Sequence, residues 1–412
     1  MNVAANPASR RICVMGLGYI GLPTASLLAT KGFDVLGVDV KPEVVTTINA
    51  GNIHIREPEL DVLVRSAVQS GQLKAALRPA AADVFILAVP TPFKDGHAPD
   101  LTFVEQAARA VAPVLARGNL LILESTSPVG TTEKVGRWIA EQRLDLEPTD
   151  LYIAHCPERV LPGQILKELV ANDRIVGGID AASTAAAGAF YRTFISGKLL
   201  QTDSRTAELV KLAENTYRDV NIAFANELSM ICERLNIDVW DVIHLANHHP
   251  RVNILKPGPG VGGHCIAVDP WFIVHSAPEE AQLIRVARGV NDSKPKYVVR
   301  KVREEASRLV EPTIACLGLA YKADIDDLRE SPALEIAARL AEEGVGRIIA
   351  VEPHIDELPK RLIGLGVRPA ALDQALNEAD IIVLLVDHSD FRSIDQKRLD
   401  NKIVLDTRGI WR

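Results

Sequence analysis

The stretch "VMGLGYIGLPTA", residues 14–25, decides the fold of the N-terminal part of the chain. It places Gly16, Gly18 and Gly21 in the spacing G-x-G-x-x-G, directly after an apolar run and at the start of a helical pattern. The first glycine of this spacing makes a tight turn, the second lets the backbone approach a pyrophosphate, and the third lets helix and strand pack closely. The spacing alone is a weak signal, but its position between strand and helix predicts a dinucleotide-binding turn.

The next apolar run supports this prediction with an acidic residue. "VLGVDV" ends near Asp39, 18 residues after Gly21. A carboxylate at this place accepts hydrogen bonds from the ribose hydroxyls and repels a 2′-phosphate, so NAD is predicted rather than NADP. The alternative, a tight turn without a ligand and a surface aspartate, does not account for strand, spacing and acid together.

The pattern of apolar runs along the chain predicts the fold class. "RICVMGLG", "DVLGVDV", "ADVFILAVP", "NLLILES" and "DLYIAHC" are typical of buried strands that alternate with helices. Residues 204–236 contain no Gly or Pro and predict one long helix, and strand patterns return from "TIACLGLAYK" onward. We therefore predict an α/β protein with two doubly wound, Rossmann-like domains joined by a central helical dimerisation region. The predicted limits are 1–203, 204–308 and 309–412.

Composition excludes several classes of function. The chain has 412 residues and a formal net charge of −7, with 47% hydrophobic and 24% charged residues. No basic cluster predicts nucleic-acid binding, and no apolar run approaches the roughly 20 residues of a membrane span. The first ten residues, "MNVAANPASR", lack the apolar segment of a signal peptide and are expected to form a loose tail. Five scattered cysteines, without metal-ligand spacing, favour a reduced cytoplasmic protein with no bound metal.

The segment "KPGPGVGGHCIAVDPW", residues 256–271, places Cys265 at the end of a glycine-rich loop. Glycines let backbone come close to a ligand, which a cysteine in a packed core does not need. The alternative, a small buried apolar side chain, fits the strand or helix contexts of Cys13, Cys232 and Cys316 better. Cys265 is therefore the candidate nucleophile.

Polar residues on the long helix are candidate partners of this thiol. Lys211, Asn215 and Arg218 stand at i, i+4 and i+7 and share one stripe of a mostly apolar helix. A solvated helix face is the alternative, which the neighbouring apolar residues weaken. A nearby cation lowers the pKa of a thiol, and Lys211 could be that cation.

Two helix starts are predicted from Ser/Asp-Pro pairs. Asp269 and Pro270 fit an N-cap and first helical position, a role that leaves Asp269 free to orient a catalytic group as well. Ser331 and Pro332 fit the same two positions at a later helix.

Several long motifs together carry a family resemblance. "VMGLGYIGLPTA", "ILESTSPVGTTEK", "HCPERVLPGQ", "KLAENTYRDVNIAFANELS", "NHHPRVNILKPGPGVGGHCIAVDPWF" and "GLAYKADIDDLRESPA" resemble the nucleotide-sugar 6-dehydrogenase family from about residue 11 to the final "GIWR". The resemblance implies an NAD domain, a helical dimer core and a C-terminal UDP-binding domain. It also implies that two NAD⁺ oxidise the C6 alcohol of a UDP-sugar to a carboxylate, through a thiohemiacetal and a thioester on Cys265.

The same resemblance implies roles for individual residues. Lys211 and Asn215 would stabilise oxyanions, Lys211 would also relay a proton with the help of Asp269, and Glu158 would be a candidate base for thioester hydrolysis. Thr126 would lie between cofactor and sugar. The implied cofactor-binding residues are Gly16, Gly18, Tyr19, Ile20, Gly21, Asp39, Thr91, Thr126 and Arg329. The implied substrate-binding residues are Arg159, Val160, Lys211, Asn215, Arg218, His249, Arg251, Gly262, Tyr321, Lys322 and Arg408. Arg251 could reach across a homodimer, Arg329 could contact either ligand, and Thr91 is equally well explained as a turn residue.

Arg159 is informative about which UDP-sugar is the substrate. The UDP-glucose enzymes of the family carry an aromatic residue after the "PE" pair, where this chain has Arg159. The resemblance is strongest to members that oxidise UDP-N-acetyl-D-mannosamine for cell-surface polysaccharide synthesis, with UDP-N-acetylglucosamine as the alternative. More remote alternatives are a single-step 3-hydroxyacid dehydrogenase and a non-catalytic nucleotide-sugar or redox-sensing protein.

Overall fold

The computed structural model describes residues 10–55, 57–161, 163–263 and 265–411. The predicted N-terminal tail lies almost wholly outside these residues. Contacts divide the chain into two compact units, Met1–Ala213 and Glu214–Arg412. Within the described ranges, no helix is both long and apolar enough to cross a membrane.

Among the described residues of the first unit, eight strands form one sheet in the order β3-β2-β1-β4-β5-β6-β7-β8. The strands are β1 (Arg11–Met15), β2 (Asp34–Val38), β3 (Leu73–Ala76), β4 (Val84–Leu87), β5 (Leu120–Leu123), β6 (Tyr152–His155), β7 (Arg174–Gly178) and β8 (Leu199–Asp203). Every residue of β4 and β5 is buried, as expected where helices cover both faces of a parallel sheet. Chain order reverses between β1 and β4, which is where a doubly wound sheet binds its ligand.

One pairing in this sheet is antiparallel. β7 runs opposite to β6, with Ala154 beside Gly178 and His155 beside Gly177, whereas the other neighbouring strands are parallel. As a result, the first residues of β7 lie at the same sheet edge as the carboxyl end of β6.

The helices of the first unit connect these strands. They are α1 (Gly21–Thr30), α2 (Pro42–Asn49), α3 (Leu60–Gln69), α4 (Thr102–Val111), α5 (Thr131–Ala140), α6 (Ile165–Ala171) and α7 (Ala181–Tyr191). The predicted long helix is α8 (Ser204–Arg234), which has 31 residues and includes the boundary between the two units.

The second unit contains a smaller sheet. Its five described strands are all parallel and follow the order β11-β10-β9-β12-β13. They are β9 (Thr313–Leu317), β10 (Arg347–Val351), β11 (Arg368–Pro369), β12 (Ile381–Leu384) and β13 (Ile403–Asp406). The accompanying helices are α9 (Val239–Ala246), α10 (Asp269–Ser276), α11 (Gln282–Ala306), α12 (Pro332–Glu342), α13 (Lys360–Gly364), α14 (Leu372–Glu378) and α15 (Ser389–Arg392). The predicted fold class, with two Rossmann-like sheets and a central helical region, is confirmed.

The two predicted helix starts have different outcomes. Ser331 accepts a hydrogen bond from the Leu334 N–H and caps α12, as predicted. Asp269 is not an N-cap, because α10 begins at Asp269 itself after Val268, and no side chain caps it. The Asp269 carboxylate instead accepts a hydrogen bond from Asn215.

Candidate functional site

The glycine turn after β1 has the geometry that a dinucleotide needs. Gly16 has a φ of +89°, and a Cβ there would lie 2.6 Å from the Ala88 carbonyl oxygen. A Cβ on Gly21 would lie 1.8 Å from the Gly16 carbonyl oxygen, so only glycine permits this approach of α1 to the turn. A Cβ on Gly18 would meet no atom within 4 Å, which leaves this backbone open to a pyrophosphate.

Asp39 is joined to the same turn. Its Oδ2 accepts a hydrogen bond of 3.1 Å from the Leu17 N–H, and its Oδ1 accepts one of 3.0 Å from the Lys41 N–H. The residue remains half-buried, so the carboxylate is oriented but accessible to ribose hydroxyls. Tyr19 and Ile20 complete the turn and are also half-buried.

The carboxyl ends of β4, β5 and β6 meet at one edge of the sheet. The Thr91 hydroxyl donates a hydrogen bond of 2.6 Å to the Thr126 carbonyl, so two predicted cofactor residues are in contact. Glu158 follows β6 and is 7% exposed, and its Oε1 accepts a hydrogen bond of 2.7 Å from the Arg159 N–H. The Arg159 guanidinium donates to the Asp173 carbonyl at 3.0 Å, while Val160 packs against the core.

His155, which precedes this loop at the end of β6, is a buried polar group that the sequence did not single out. It is fully buried, and neither ring nitrogen has a hydrogen-bond partner among the described residues. Burial lowers the pKa of His155 to about 3; the Leu123 carbonyl opposes this effect and the Lys211 ammonium reinforces it. The ring is therefore a neutral group near Lys211.

Glu208 on α8 fixes the start of α5 and was also missed. It is fully buried, and its carboxylate accepts backbone hydrogen bonds from Gly130 at 2.5 Å and Thr132 at 2.7 Å. A buried carboxylate at a helix N-terminus satisfies donors that the helix itself cannot. In the sequence, the one signal for this role was the presence of Glu208 among the apolar residues at the start of α8.

The nucleophile candidate lies in the second unit. Cys265 is half-buried, whereas the other four cysteines are buried. Burial raises the pKa of Cys13, Cys156 and Cys316 to about 12, which keeps these thiols protonated. Their environments are those of inert core residues, and Cys265 differs from them.

Cys265 is connected through a backbone hydrogen bond to two predicted catalytic residues, Asp269 and Asn215. Its carbonyl accepts a hydrogen bond of 2.8 Å from the Asp269 N–H. Asp269 is 2% exposed, and its Oδ2 accepts a hydrogen bond of 2.5 Å from Asn215 Nδ2. Lys211 precedes Asn215 by one helical turn and is half-buried, while Arg218, one turn later, is exposed.

The glycine loop packs against the segment that holds other predicted substrate residues. A Cβ on Gly262 would lie 2.8 Å from Tyr321 Cβ, and one on Gly263 would lie 2.9 Å from the Tyr321 ring. Close packing within the protein thus accounts for these two glycines. A Cβ on Gly258 would lie 2.5 Å from Arg408 Nη1, and Asp387 pairs with that arginine at 2.8 Å.

The remaining predicted residues are on exposed loops. Lys322 and Arg329 are exposed, and Arg329 pairs with Asp327 at 2.6 Å. His249 and Arg251 are exposed after α9, where the Arg251 N–H donates to His249 Nδ1 at 3.3 Å.

A buried polar network anchors the glycine loop and was not predicted. Asn226 of α8 accepts a hydrogen bond of 2.9 Å from the Gly258 N–H and donates one of 2.9 Å to Asn291. Asn291 in turn donates at 2.8 Å to Asp219, which forms an ion pair of 2.6 Å with Arg288. All four side chains are at most 2% exposed. The buried network therefore holds Gly258 in place, near the start of the loop that ends at Cys265.

Three family models match successive parts of the chain. They are the NAD-binding, central and UDP-binding domains of the UDP-glucose/GDP-mannose dehydrogenase family, over residues 10–195, 205–293 and 315–412. The chain belongs to this family. It is an NAD-dependent nucleotide-sugar dehydrogenase, and the open glycine turn with Asp39 fits that cofactor.

Individual relatives match along nearly the whole chain. An NDP-N-acetyl-D-galactosaminuronic acid dehydrogenase of Ralstonia nicotianae is 57% identical, covering 98% of this chain and 96% of its own. A UDP-N-acetyl-D-mannosamine dehydrogenase of Yersinia pestis is 54% identical, covering 97% and 99%. The solved UDP-D-ManNAc dehydrogenase of Pyrococcus horikoshii is 41% identical with a TM-score of 0.90, covering 98% and 96%.

Proposed function

We propose that this enzyme oxidises C6 of UDP-N-acetyl-D-mannosamine to the uronate in two steps, to supply a precursor of cell-surface polysaccharide. The observation that carries the proposal is the half-buried Cys265, one turn before an aspartate that holds Asn215. A single-step oxidation of an alcohol needs no thiol, whereas oxidation of an aldehyde requires a nucleophile that restores an alkoxide.

The residues of the chain would act as follows. NAD⁺, when bound, accepts one hydride in each oxidation. Cys265 Sγ attacks the aldehyde to form a thiohemiacetal, whose oxidation leaves a thioester that water hydrolyses. Asn215 and Lys211 stabilise the oxyanions, and Lys211 relays protons. Asp269 orients the Asn215 amide by accepting its N–H, and we assign Glu158 as the base that activates the hydrolytic water.

The binding residues are proposed from the family motifs. Gly16, Gly18, Tyr19, Ile20, Gly21, Asp39, Thr91, Thr126 and Arg329 contact NAD. Arg159, Val160, Arg218, His249, Arg251, Gly262, Tyr321, Lys322 and Arg408 contact the UDP-sugar together with Lys211 and Asn215.

The sugar has a second candidate. UDP-N-acetyl-D-mannosamine is supported by relatives at 54% identity and by the Pyrococcus horikoshii structure. The relative at 57% identity is named for N-acetyl-D-galactosaminuronic acid, which favours the galactosamine epimer as the alternative. UDP-N-acetylglucosamine remains a third choice. All three carry an acetamide at C2, consistent with Arg159 in place of an aromatic residue.

A homodimer is proposed from the outer face of α8. Tyr217, Phe224 and Ile231 follow one another at intervals of seven residues and are 73%, 55% and 46% exposed. Three large apolar side chains in one helical stripe are typical of a helix that packs against another. A second copy of α8 would cover them.

The function is tested by counting NADH per sugar with these three UDP-sugars and UDP-glucose. We expect two NADH per UDP-N-acetyl-D-mannosamine and a uronate product. One NADH per molecule would instead support a single-step dehydrogenase, and binding without turnover would support a non-catalytic protein.

A cysteine variant tests the chemistry. Cys265→Ser should lower uronate formation by at least about 10³-fold, because a serine hydroxyl is far less ionised than a thiol near neutral pH. NAD and UDP-sugar should still bind, and residual chemistry should stop at the aldehyde or at an ester visible by intact mass. Cys232→Ser, which changes a buried thiol of α8, is the matched control. Near wild-type uronate formation by Cys265→Ser would exclude the thioester route.

A further inference from the structure

A closed group of ionisable side chains lies directly behind Glu158. It contains Glu124 after β5, Cys156 after β6, Arg174 at the start of β7 and Tyr191 at the end of α7, all at most 2% exposed. Two carboxylates, Glu124 and Glu158, thus share one guanidinium. Buried charges are stable only when paired, and this group offers one positive charge for two acids.

The antiparallel strand explains how Arg174 reaches this place. In a wholly parallel sheet the first residue of a strand lies at the edge opposite the ligand. Because β7 runs against β6, its first residue is carried beyond the carboxyl end of β6, where Glu158 follows. The antiparallel direction of β7 therefore places the Arg174 guanidinium at the sheet edge where the cofactor-binding turns lie.

Arg174 contacts Glu158 more directly than Glu124. Arg174 Nη1 lies 2.8 Å from Glu158 Oε2, an ion pair whose N–H direction does not meet hydrogen-bond geometry. Nη2 donates a hydrogen bond of 3.3 Å to the Leu169 carbonyl, and the guanidinium lies 5.4 Å from the centre of the Tyr191 ring. Three contacts fix the cation beside the Glu158 carboxylate.

Glu124 is held in a different way. Its Oε1 accepts a hydrogen bond of 2.7 Å from the Tyr191 hydroxyl, and its Oε2 has no hydrogen-bond partner among the described residues. Burial raises the pKa of Glu124 to about 7; Arg174 lowers it, Glu158 raises it and the Tyr191 hydroxyl lowers it. At neutral pH a large fraction of Glu124 is therefore protonated and uncharged. Glu158 is then the carboxylate that forms the ion pair with Arg174.

We propose that Arg174 is a positioning residue that holds the Glu158 carboxylate in place for hydrolysis of the Cys265 thioester. This inference rests on the proposed role of Glu158. In that step the oxygen of water bonds to the acyl carbon and one proton of the water passes to the Glu158 carboxylate. The acyl carbon–sulfur bond breaks, and sulfur leaves with the electron pair as the Cys265 thiolate. Glu158 then returns its proton to solvent.

The test compares Arg174→Met and Arg174→Lys with wild type in single-turnover and steady-state assays. Arg174→Met should lower kcat at least about tenfold while kcat/KM for NAD⁺ stays within about twofold, because only a step after both hydride transfers is slowed. The acyl-enzyme should accumulate on Cys265 and be detected by intact mass. Arg174→Lys keeps the charge but makes fewer contacts, so its kcat should fall less than that of Arg174→Met.

Controls separate this inference from the proposed function. Arg205→Met, which removes an exposed arginine paired with Glu133, should leave all values unchanged. If wild type does not release two NADH per sugar, the proposed function fails. If it does, and Arg174→Met shows neither a fall in kcat nor an acyl-enzyme, the role of Arg174 is refuted. Should Arg174→Met fail to bind NAD, Arg174→Lys decides: a fall in kcat with detectable acyl-enzyme supports the role, and unchanged kcat without it overturns the role.

Discussion

Replacing Glu124 by glutamine should stabilise the protein above neutral pH and change its stability near pH 5 by less than about 1 kcal/mol. Glutamine keeps the oxygen that accepts the Tyr191 hydroxyl, and its amide nitrogen replaces the protonated carboxyl oxygen. The variant thus imitates the protonated acid and removes only its ionisation.

The magnitude follows from the difference between the two states. The pKa of Glu124 is raised from 4.5 to about 7 in the folded protein, mainly by burial. A carboxyl group with a raised folded pKa stabilises the fold below its unfolded pKa, and this contribution is lost as the pH rises through the folded pKa. A shift of about 2.5 units corresponds to a loss of roughly 3 kcal/mol between pH 4.5 and 7.5. This figure already includes the attraction between ionised Glu124 and Arg174, which lowers the pKa of Glu124 against the effect of burial.

The assay is the apparent melting temperature of wild type and Glu124→Gln between pH 5 and 8 at constant ionic strength and without ligands. A difference of 3 kcal/mol corresponds to about 6–12 °C for a unit of roughly 200 residues. The two proteins should therefore melt within about 3 °C of each other at pH 5 and separate by several degrees more at pH 8, with the variant higher. Glu133→Gln, on the exposed surface of α5, should show no such separation. If wild type instead gained on Glu124→Gln as the pH rose, ionised Glu124 would be stabilised by Arg174, and the assignment of the proton would be wrong.

Two further predictions concern the cofactor and the assembly. Asp39→Ala should reduce the preference for NAD⁺ over NADP⁺ by at least about tenfold in kcat/KM, because the carboxylate no longer accepts from the ribose or repels a 2′-phosphate; equal wild-type kcat/KM values for both cofactors would contradict this assignment. Phe224→Glu should convert a dimer to a monomer in light scattering at micromolar concentration, whereas Val310→Glu, at a loop position that is 95% exposed, should leave the dimer intact; a monomeric wild type would refute the proposed interface.

The sequence predicted five strands of the first Rossmann-like sheet, β1, β2 and β4 to β6, because each is a short, mostly apolar run beside a helical pattern, and it missed β3, β7 and β8. It did not predict the direction of β7, because a strand has the same composition whichever way it pairs. The position of Arg174 depends on that direction. Its closeness to Glu124, fifty residues earlier in the chain, is therefore a tertiary property that no local pattern contains.

The two Asp/Ser-Pro pairs show how far local chemistry decides a helix start. Ser331 lies where no other described donor competes for its hydroxyl acceptor site, and it caps α12 as predicted. Asp269 has the same local pattern, but its carboxylate is bound by Asn215, 54 residues earlier. The N-cap prediction was wrong because the Asp269 carboxylate accepts a hydrogen bond from Asn215, a residue far away in the sequence, and does not cap the helix. The prediction that Asp269 also serves the site depended on the family motif rather than on this local pattern.

The two Rossmann-like sheets begin with nearly the same turn and yet cannot use it in the same way. Gly16 and Gly318 have φ angles of +89° and +90°, and each is followed by a leucine whose N–H donates to an acid after the next strand. In the first sheet that acid, Asp39, is half-buried and can still meet a ribose.

In the second sheet the corresponding acid is Glu352, whose side chain is 1% exposed. Its Oε2 also accepts a hydrogen bond of 3.0 Å from the Ala320 N–H and lies 3.1 Å from His388 Nε2. Glu352 is therefore fully engaged within the protein and cannot bind a ribose from this position. A nucleotide at the second sheet therefore has to be bound by other side chains, for which Tyr321, Lys322 and Arg408 are the proposed residues. The same fold thus provides one turn whose acid is accessible to a ribose and one whose acid is engaged within the protein.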